Sequence, residues 1–301
     1  MAGNLAMTTI SAIAAFPFSS HPIFAIINSM ATPRVSIVMS TYNRARFIEG
    51  AIKSAQAQNL TDWELLISDD SPGDDTAEVI KKFAGDARIR YVHRTTKGTI
   101  ANSSNAALAR AHGTYVAILD DDDWWIEPKK LEKQVAFLDT HPEYIGCGGG
   151  FAIVNENGEE RSKVLKPETD EAIRRVALYA NPLANSTTMF RRAEAGTYDE
   201  KMRQFADWDF WLKLGTKGKL YNFPEYFLAY RMWEHGASFT DQRQNVDYAI
   251  MIVRRYKDDY PGFLKALCMA YVYWYYARLP LFIRKELNSS LSRLKKAIFS
   301  R

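Results

Sequence analysis

The sequence predicts an α/β fold: a single Rossmann-like domain with a mostly parallel central sheet, then a helical extension from about residue 241. Three observations predict it. Short apolar runs rich in β-branched residues alternate with helical spacing between Val35 and Leu119. Three of those runs end directly in polar clusters. No internal repeat or low-complexity linker divides the chain. Such alternation places helices on both faces of a parallel sheet, and ligands then bind outside the carboxyl ends of the strands.

In chain order, Val35 to Ser40 reads as a buried strand and Thr41-Tyr42-Asn43-Arg44 as a loop. Phe47, Ile48, Ala51, Ile52 and Ala55 form one face of a helix. Trp63 to Ser68 is a second strand, ended by the turn signal Asp69-Asp70-Ser71-Pro72-Gly73. Thr76 to Phe83 reads as helix, Ile89 to Val92 as strand, and Asn102 to Ala111 as helix, closed near Gly113. Tyr115 to Leu119 is a further buried strand that runs into Asp120-Asp121-Asp122-Asp123.

Beyond it, Lys129 to Leu138 reads as a helix. Tyr144 to Val154 reads as a strand region interrupted at Gly148-Gly149-Gly150, and Asn155-Glu156-Asn157-Gly158 as a hairpin turn. Glu171 to Tyr179 and Asp207 to Leu214 are expected helices. The domain is thus expected over residues 33–240 and the helical extension over 241–301. Residues 1–32 are expected to be a disordered extension. The first 33 residues hold no Asp, Glu, Lys or Arg, so a secretory signal lacks its positive start. Pro17 and Pro22 interrupt apolar residues too few for a membrane span. Residues 1–29, ahead of Met30, are read as dispensable for activity.

A chain of 301 residues, 47% hydrophobic, can bury a substantial core, which excludes wholesale disorder. Its net charge of +4 is too small to argue for nucleic acid. Cys147 and Cys268 form no CxxC or His/Cys cluster, so neither a zinc site nor a disulfide framework is expected. A reducing, cytoplasmic compartment fits.

Four consecutive carboxylates repel one another, so a strand end is a costly place to collect them. A solvated acidic turn explains little when a buried strand precedes the run and Trp124-Trp125 follows. Mg²⁺ and Mn²⁺ want oxygen ligands, commonly one or two carboxylates plus phosphate oxygens. With Ser40-Thr41-Tyr42-Asn43 and Asp69-Asp70 converging on the same sheet edge, the run reads as a metal–phosphate site.

These segments together resemble family 2 glycosyltransferases. Val35 to Arg44 resembles the family's opening, and Ser68-Asp69-Asp70-Ser71-Pro72-Gly73-Asp74-Asp75-Thr76 its next motif. Gly98 and Asn105 resemble the family's Gly and Asn ahead of Ala111-His112-Gly113-Thr114-Tyr115. Leu119-Asp120-Asp121-Asp122-Asp123-Trp124 resembles its DxD-type motif, and Pro128-Lys129-Lys130-Leu131 the helix start that follows. The resemblance covers roughly residues 33–240, and the order and spacing of the motifs make it specific.

It implies an inverting enzyme of the A-type glycosyltransferase fold that uses a nucleotide-sugar donor, a UDP- or dTDP-sugar, with Mg²⁺ or Mn²⁺. Ser40 and Tyr42 would border the base, within a donor-binding loop that includes Thr41 and Asn43. Tyr42 would stack on the base, although a packing aromatic explains it as well. Asp70 would accept from the base's imide nitrogen. Asp69 is better read as a turn carboxylate. Asp120 and Asp121 would hold ribose and sugar hydroxyls, and Asp122 would be the metal ligand.

Inverting transfer needs a carboxylate to take the acceptor hydroxyl's proton. The family's base lies in a Glu-Asp-x-Asp motif at a helix start, and Ala206-Asp207-Trp208-Asp209 resembles it, with Asp207 as base. Ala206 replaces the usual Glu, so the contacts that side chain would make to the base or the acceptor are not supplied from this position. Taken alone, Asp207 would read as a helix cap. Asn181 to Arg192 resembles the acceptor-side strand, and Tyr230 to Ser238 the closing Tyr-Arg-x-His-type segment, with Trp233 where His is frequent. Arg231 fits near the phosphates or in an ion pair with the acidic run. His235 fits the diphosphate, the metal or a plain surface.

The acceptor implied by the family is a glycan or a lipid-linked hydroxyl. The aromatic run 266–277, with the basic residues that follow, fits an anionic membrane surface or packing on the catalytic domain. Two rivals remain from the residues alone. A sugar nucleotidyltransferase would want a Gly-rich basic loop after its first strand, and Ser40 to Asn43 has no glycine. A non-catalytic nucleotide-sugar binding module is kept open by Ala206.

Overall fold

A computed structural model describes residues 32–94, 98–233, 242–280 and 283. Its first half follows the buried strands. β1 (Val35–Thr41), β2 (Trp63–Asp69), β3 (Ile89–His93) and β4 (Tyr115–Ile118) lie side by side in the order β3-β2-β1-β4, all parallel. The chain leaves β1 towards β2 and β3, then returns to place β4 on β1's other side. That reversal opens a crevice at the carboxyl ends of β1 and β4.

Alternation along β1 serves two cores. Ile37 and Met39 pack with Ile48 and Ile52 of α1 (Ala45–Gln56), while Val38 faces Ala107 and Leu108 of α3 (Ile100–Leu108). Between them, α2 (Asp75–Lys81) links β2 to β3. Fully buried aliphatic side chains of this kind stabilise the fold by ~1.5–3 kcal/mol each. Thr99 caps α3, accepting from the Asn102 N–H while Asn102 Oδ1 accepts from the Thr99 N–H. Gly113 is required where the chain enters β4, because a Cβ there would lie 2.5 Å from the Ser36 nitrogen.

The second half adds β5 (Trp124–Trp125), α4 (Lys130–Thr140), β6 (Tyr144–Val154), β7 (Glu160–Val164), α5 (Asp170–Val176), β8 (Met189–Arg191), α6 (Ala206–Gly215) and β9 (Lys219–Arg231). The sheet continues β4-β8-β6-β9-β5, with β7 also on β6. Here β8 runs antiparallel to β4 and β6, β6 and β7 form a hairpin, and β6 and β9 are parallel. The sheet is therefore parallel over its first four strands and mixed beyond them.

Two expectations change. The triple glycine does not break β6. It lets the strand pass through a crowded layer, since a Cβ on Gly149 would meet Phe227 at 2.6 Å. The cost is an irregular register against β9 around Gly149 and Gly150. The long strand β9 was not anticipated at all.

Helices α7 (Gln242–Arg255) and α8 (Phe263–Arg278) follow. Ile252, Val253, Tyr256 and Tyr260 share a core with Trp208 and Leu212 of α6. The expected extension thus packs, over its described part, on the helix that begins at Ala206. The expected N-terminal extension lies outside the described residues except for Thr32. Among the described residues no helix is long and apolar enough to cross a membrane.

Candidate active site

Three chain segments meet at the crevice. From the end of β1, Thr41 is buried, while Tyr42 is 38% exposed and Asn43 takes a left-handed turn with φ of 54°. Asn43 N–H donates to Ser71 Oγ (2.9 Å), and Asp70 N–H to the Thr41 carbonyl (3.1 Å), so the loops after β1 and β2 are tied together. Ser40 touches Ser104 of α3 at 3.4 Å between hydroxyls.

Asp69 acts as the expected turn carboxylate, accepting from Ser71 N–H (2.8 Å) and Tyr91 OH (2.7 Å). Asp70 instead keeps a buried Oδ1, 3.5 Å from Arg94 Nε, with no hydrogen-bond partner. Burial raises its pKa against the opposing pull of Arg94.

The acidic run at the end of β4 is divided by its partners. Asp120 accepts from Asn185 Nδ2 (3.1 and 3.0 Å to its two oxygens) and from Ser186 Oγ (2.8 Å). Asp121, fully buried, accepts from Arg44 Nη1 at 2.8 Å. The same Nη1 lies 3.2 Å from Asp122 Oδ2. Asp122 keeps 14% side-chain exposure and also accepts from Trp233 Nε1 at 2.9 Å. Asp123 points away, accepting from Arg231 N–H (2.9 Å) and lying 2.8 Å from Ser186 Oγ.

Burial pushes the Asp121 carboxyl up to about 7, with Arg44 the chief opposing influence. Burial likewise raises Asp120 and Asp123, and neighbouring carboxylates add to it. On Arg44, burial opposes the charge, but Asp121 and Asp122 outweigh it and its pKa rises. The Arg231 guanidinium donates to the main-chain carbonyls of Asp122 (2.9 Å) and Glu156, and the charges of Asp122 and Asp123 act on it. His235 lies outside the described residues.

Asp207 sits in the first turn of α6, where the backbone N–H groups of Asp207 and Trp208 favour its charge. Asn181 Nδ2 donates to its Oδ2 at 2.6 Å. Burial nevertheless raises its pKa to about 6, and the charge of Asp120 adds to the shift. Tyr198, buried and stacked on Phe210 with ring centroids 4.2 Å apart, responds to both carboxylates: after burial, Asp120 and then Asp207 raise its pKa. The segment 181–186 joins the acidic run to the start of α6, since Asn181 bonds Asp207 while Asn185 and Ser186 bond Asp120.

Reading the sequence missed Arg44, Asn181, Asn185, Ser186 and Tyr198 as contributors. All but Tyr198 stood inside or beside the motifs that carried the resemblance. The Asn105 Oδ1 accepts from Tyr198 N–H (2.8 Å) and its amide donates to the Tyr198 carbonyl (3.0 Å), which gives that asparagine a positioning role.

No three His, Cys, Asp or Glu side chains among the described residues could hold a metal by themselves. The oxygen chemistry still fits Mg²⁺ or Mn²⁺, because such ions take one or two carboxylates and complete their shell with phosphate and water. Asp120 and Asp122 are the partly exposed carboxylates of the run, and Asp121 and Asp123 are buried.

A half-sheet that is parallel over β3-β2-β1-β4 and mixed beyond, with carboxylates at its switch point, is the A-type glycosyltransferase fold. The family model described as Glycosyl transferase family 2 matches residues 36–195, and the chain belongs to that family. EpsE of Bacillus subtilis (strain 168), which bears a glycosyltransferase name, is 30% identical over 256 residues, covering 80% of this chain and 90% of EpsE. S. aureus TarS 1-349 in complex with UDP-GlcNAc superposes with a TM-score of 0.63 at 17% identity, covering 88% of this chain and 81% of its own. The mannosyltransferase PcManGT from Pyrobaculum calidifontis, in complex with GDP-Man and Mn²⁺, gives 0.60 at 17% identity, covering 90% and 83%. The two structures establish the fold, and the family makes the protein a glycosyltransferase. The nucleotidyltransferase and the non-catalytic module are thereby set aside.

Proposed function

We propose that the protein transfers a sugar, with inversion, from a nucleoside-diphosphate sugar to a hydroxyl of a glycan or lipid-linked acceptor. One observation carries the reading: the segment 181–186 bonds both carboxylates, Asn181 to Asp207 and Asn185 and Ser186 to Asp120, and the nearby Asp120 charge adds to the raised pKa of Asp207. A proton acceptor then stands beside the donor carboxylates, still ionised at neutral pH and basic enough to take a proton.

In this scheme Asp207 takes the acceptor hydroxyl's proton as its oxygen attacks the anomeric carbon. The bond from that carbon to the diphosphate oxygen breaks, and the nucleoside diphosphate leaves with the bonding pair. Asp120 and Asp121 hold donor hydroxyls. Ser40, Thr41, Tyr42 and Asn43 border the base. The buried Oδ1 of Asp70, which accepts no hydrogen bond and lies 3.5 Å from Arg94 Nε, is suited to accept an N–H, which favours uracil in the donor. Asp122 would hold Mg²⁺ or Mn²⁺, which when bound stabilises the departing diphosphate. Arg44 adds positive charge on the same side.

The test separates binding from chemistry. Asp207→Asn should bind UDP with Mn²⁺ nearly as the wild type does in calorimetry, while transfer falls by ~10²–10⁴-fold. Normal turnover in that variant rejects the assignment.

A further inference from the structure

The outer side of α8 carries an apolar stripe. Leu264 is 73% exposed, Val272 49% and Tyr275 68%, and the exposed Cys268 lies between the first two. Positions 264, 268, 272 and 275 follow the helical period, so these side chains line one side of the helix. The side turned inward is made of small residues, Ala266, Ala270 and Ala277, all buried. One face of the aromatic run therefore packs on the fold and the other is left to solvent. An exposed apolar stripe on this scale marks an interaction surface.

Charge identifies what covers it. The net +4 is not evenly spread. Residues 242–301 hold twelve Lys and Arg against four Asp and Glu, a net +8, which leaves −4 for residues 1–241. From Arg278 onward, seven basic residues face Glu286 alone. A second copy of the chain on this stripe would set two strongly basic segments against each other, which like-charge repulsion disfavours. An anionic lipid surface supplies both needs, acyl chains for the stripe and phosphate groups for the lysines and arginines. The stripe suits lying in the interface, since no described helix can cross a bilayer.

We propose that the outer face of α8 docks on an anionic bilayer surface. The proposal is independent of the assignments made for Asp207 and the donor site.

Sedimentation of the full chain with vesicles tests it. The protein should pellet with vesicles containing phosphatidylglycerol, stay in solution with phosphatidylcholine alone, and be released by salt. Leu264→Asp combined with Val272→Asp should weaken pelleting by about tenfold or more while UDP binding holds. Tyr275→Ser, a milder change at an exposed ring, should move it in the same direction. Failure of the full chain to pellet with either vesicle overturns the proposal, as does unchanged pelleting of both variants. A dimer in light scattering that the double variant converts to monomer would assign the stripe to a second copy instead.

Discussion

Asn181 donates its side-chain amide to Oδ2 of Asp207 at 2.6 Å, joining the loop after α5 to the first turn of α6. Ala206 cannot give the support that a glutamate at its position would. Asn181 provides a fixed hydrogen bond from another direction, to Oδ2. Asn181→Ala should lower kcat by ~10-fold, less than Asp207→Asn, with little change in UDP affinity. Steady-state kinetics beside calorimetry check the split. A fall confined to UDP binding would place Asn181 on the donor side.

The Asp207 carboxyl, raised to about 6 by burial and then by Asp120, gives a pH dependence of known sign. Besides Asp120, the groups acting on it are its own and Trp208's N–H and Lys166, all of which favour the charge. Transfer should rise with pH through about 6 and level off above it, because only the ionised base accepts a proton. Stability should move the other way. Between the ordinary value of 3.8 and about 6 the folded state binds more protons than the unfolded one, so this group's contribution is lost as pH rises. Chemical unfolding at pH 5 and pH 7 should show that Asp207→Asn has lost part of this slope.

Arg44 occupies a place next to Asp122, with one nitrogen 3.2 Å from the carboxylate assigned to the metal. A fixed positive charge there repels a free cation, but it suits a cation that arrives with a diphosphate. Arg44→Gln should therefore bind Mn²⁺ more tightly than the wild type when no nucleotide is present, and bind UDP less tightly. Asp122→Ala should lose Mn²⁺ in both conditions. Electron paramagnetic resonance of free Mn²⁺ reads these changes without any turnover. Equal Mn²⁺ affinity in Arg44→Gln and wild type would remove the gating argument.

How much of this was legible depended on where each partner lay in the sequence. β1, β2 and β4 are continuous apolar runs because both faces are covered, and their carboxyl ends announce themselves by polar clusters. β9 hid because Pro224 and the buried Asn222 break the pattern a strand is read by. The Asn222 amide nitrogen finds its partners only in the fold, donating to the carbonyls of Pro167 and Pro182. Arg44 looked like a loop charge because its partners lie 77 residues away at Asp121. Tyr198 had no motif at all, and only the Asn105 clamp and its place between two carboxylates mark it.

The C-terminal helices reach α6 through Asp209, two residues after the proposed base. Asp209 is 2% exposed and accepts from Arg255 Nη1 (2.7 Å) and Tyr256 OH (3.1 Å), both from the end of α7 and the turn after it. Arg255 also reaches Asp199 at 3.0 Å, and Tyr260 OH donates to the Leu212 carbonyl at 2.8 Å. These contacts hold α6 from outside the crevice. Arg255→Ala leaves a buried carboxylate without its cation, and breaking such a pair costs ~3–5 kcal/mol when fully buried. Arg255 is about a third exposed, so water repairs part of the loss and a destabilisation of ~1–3 kcal/mol is expected. Because the same contacts orient the helix that carries Asp207, kcat should fall while UDP affinity is kept. Arg255→Ala with Asp209→Asn should recover much of the stability, since the stranded charge is gone. Thermal unfolding of the single and double variants decides it, and strictly additive losses would show that Asp209 and Arg255 do not act as a pair.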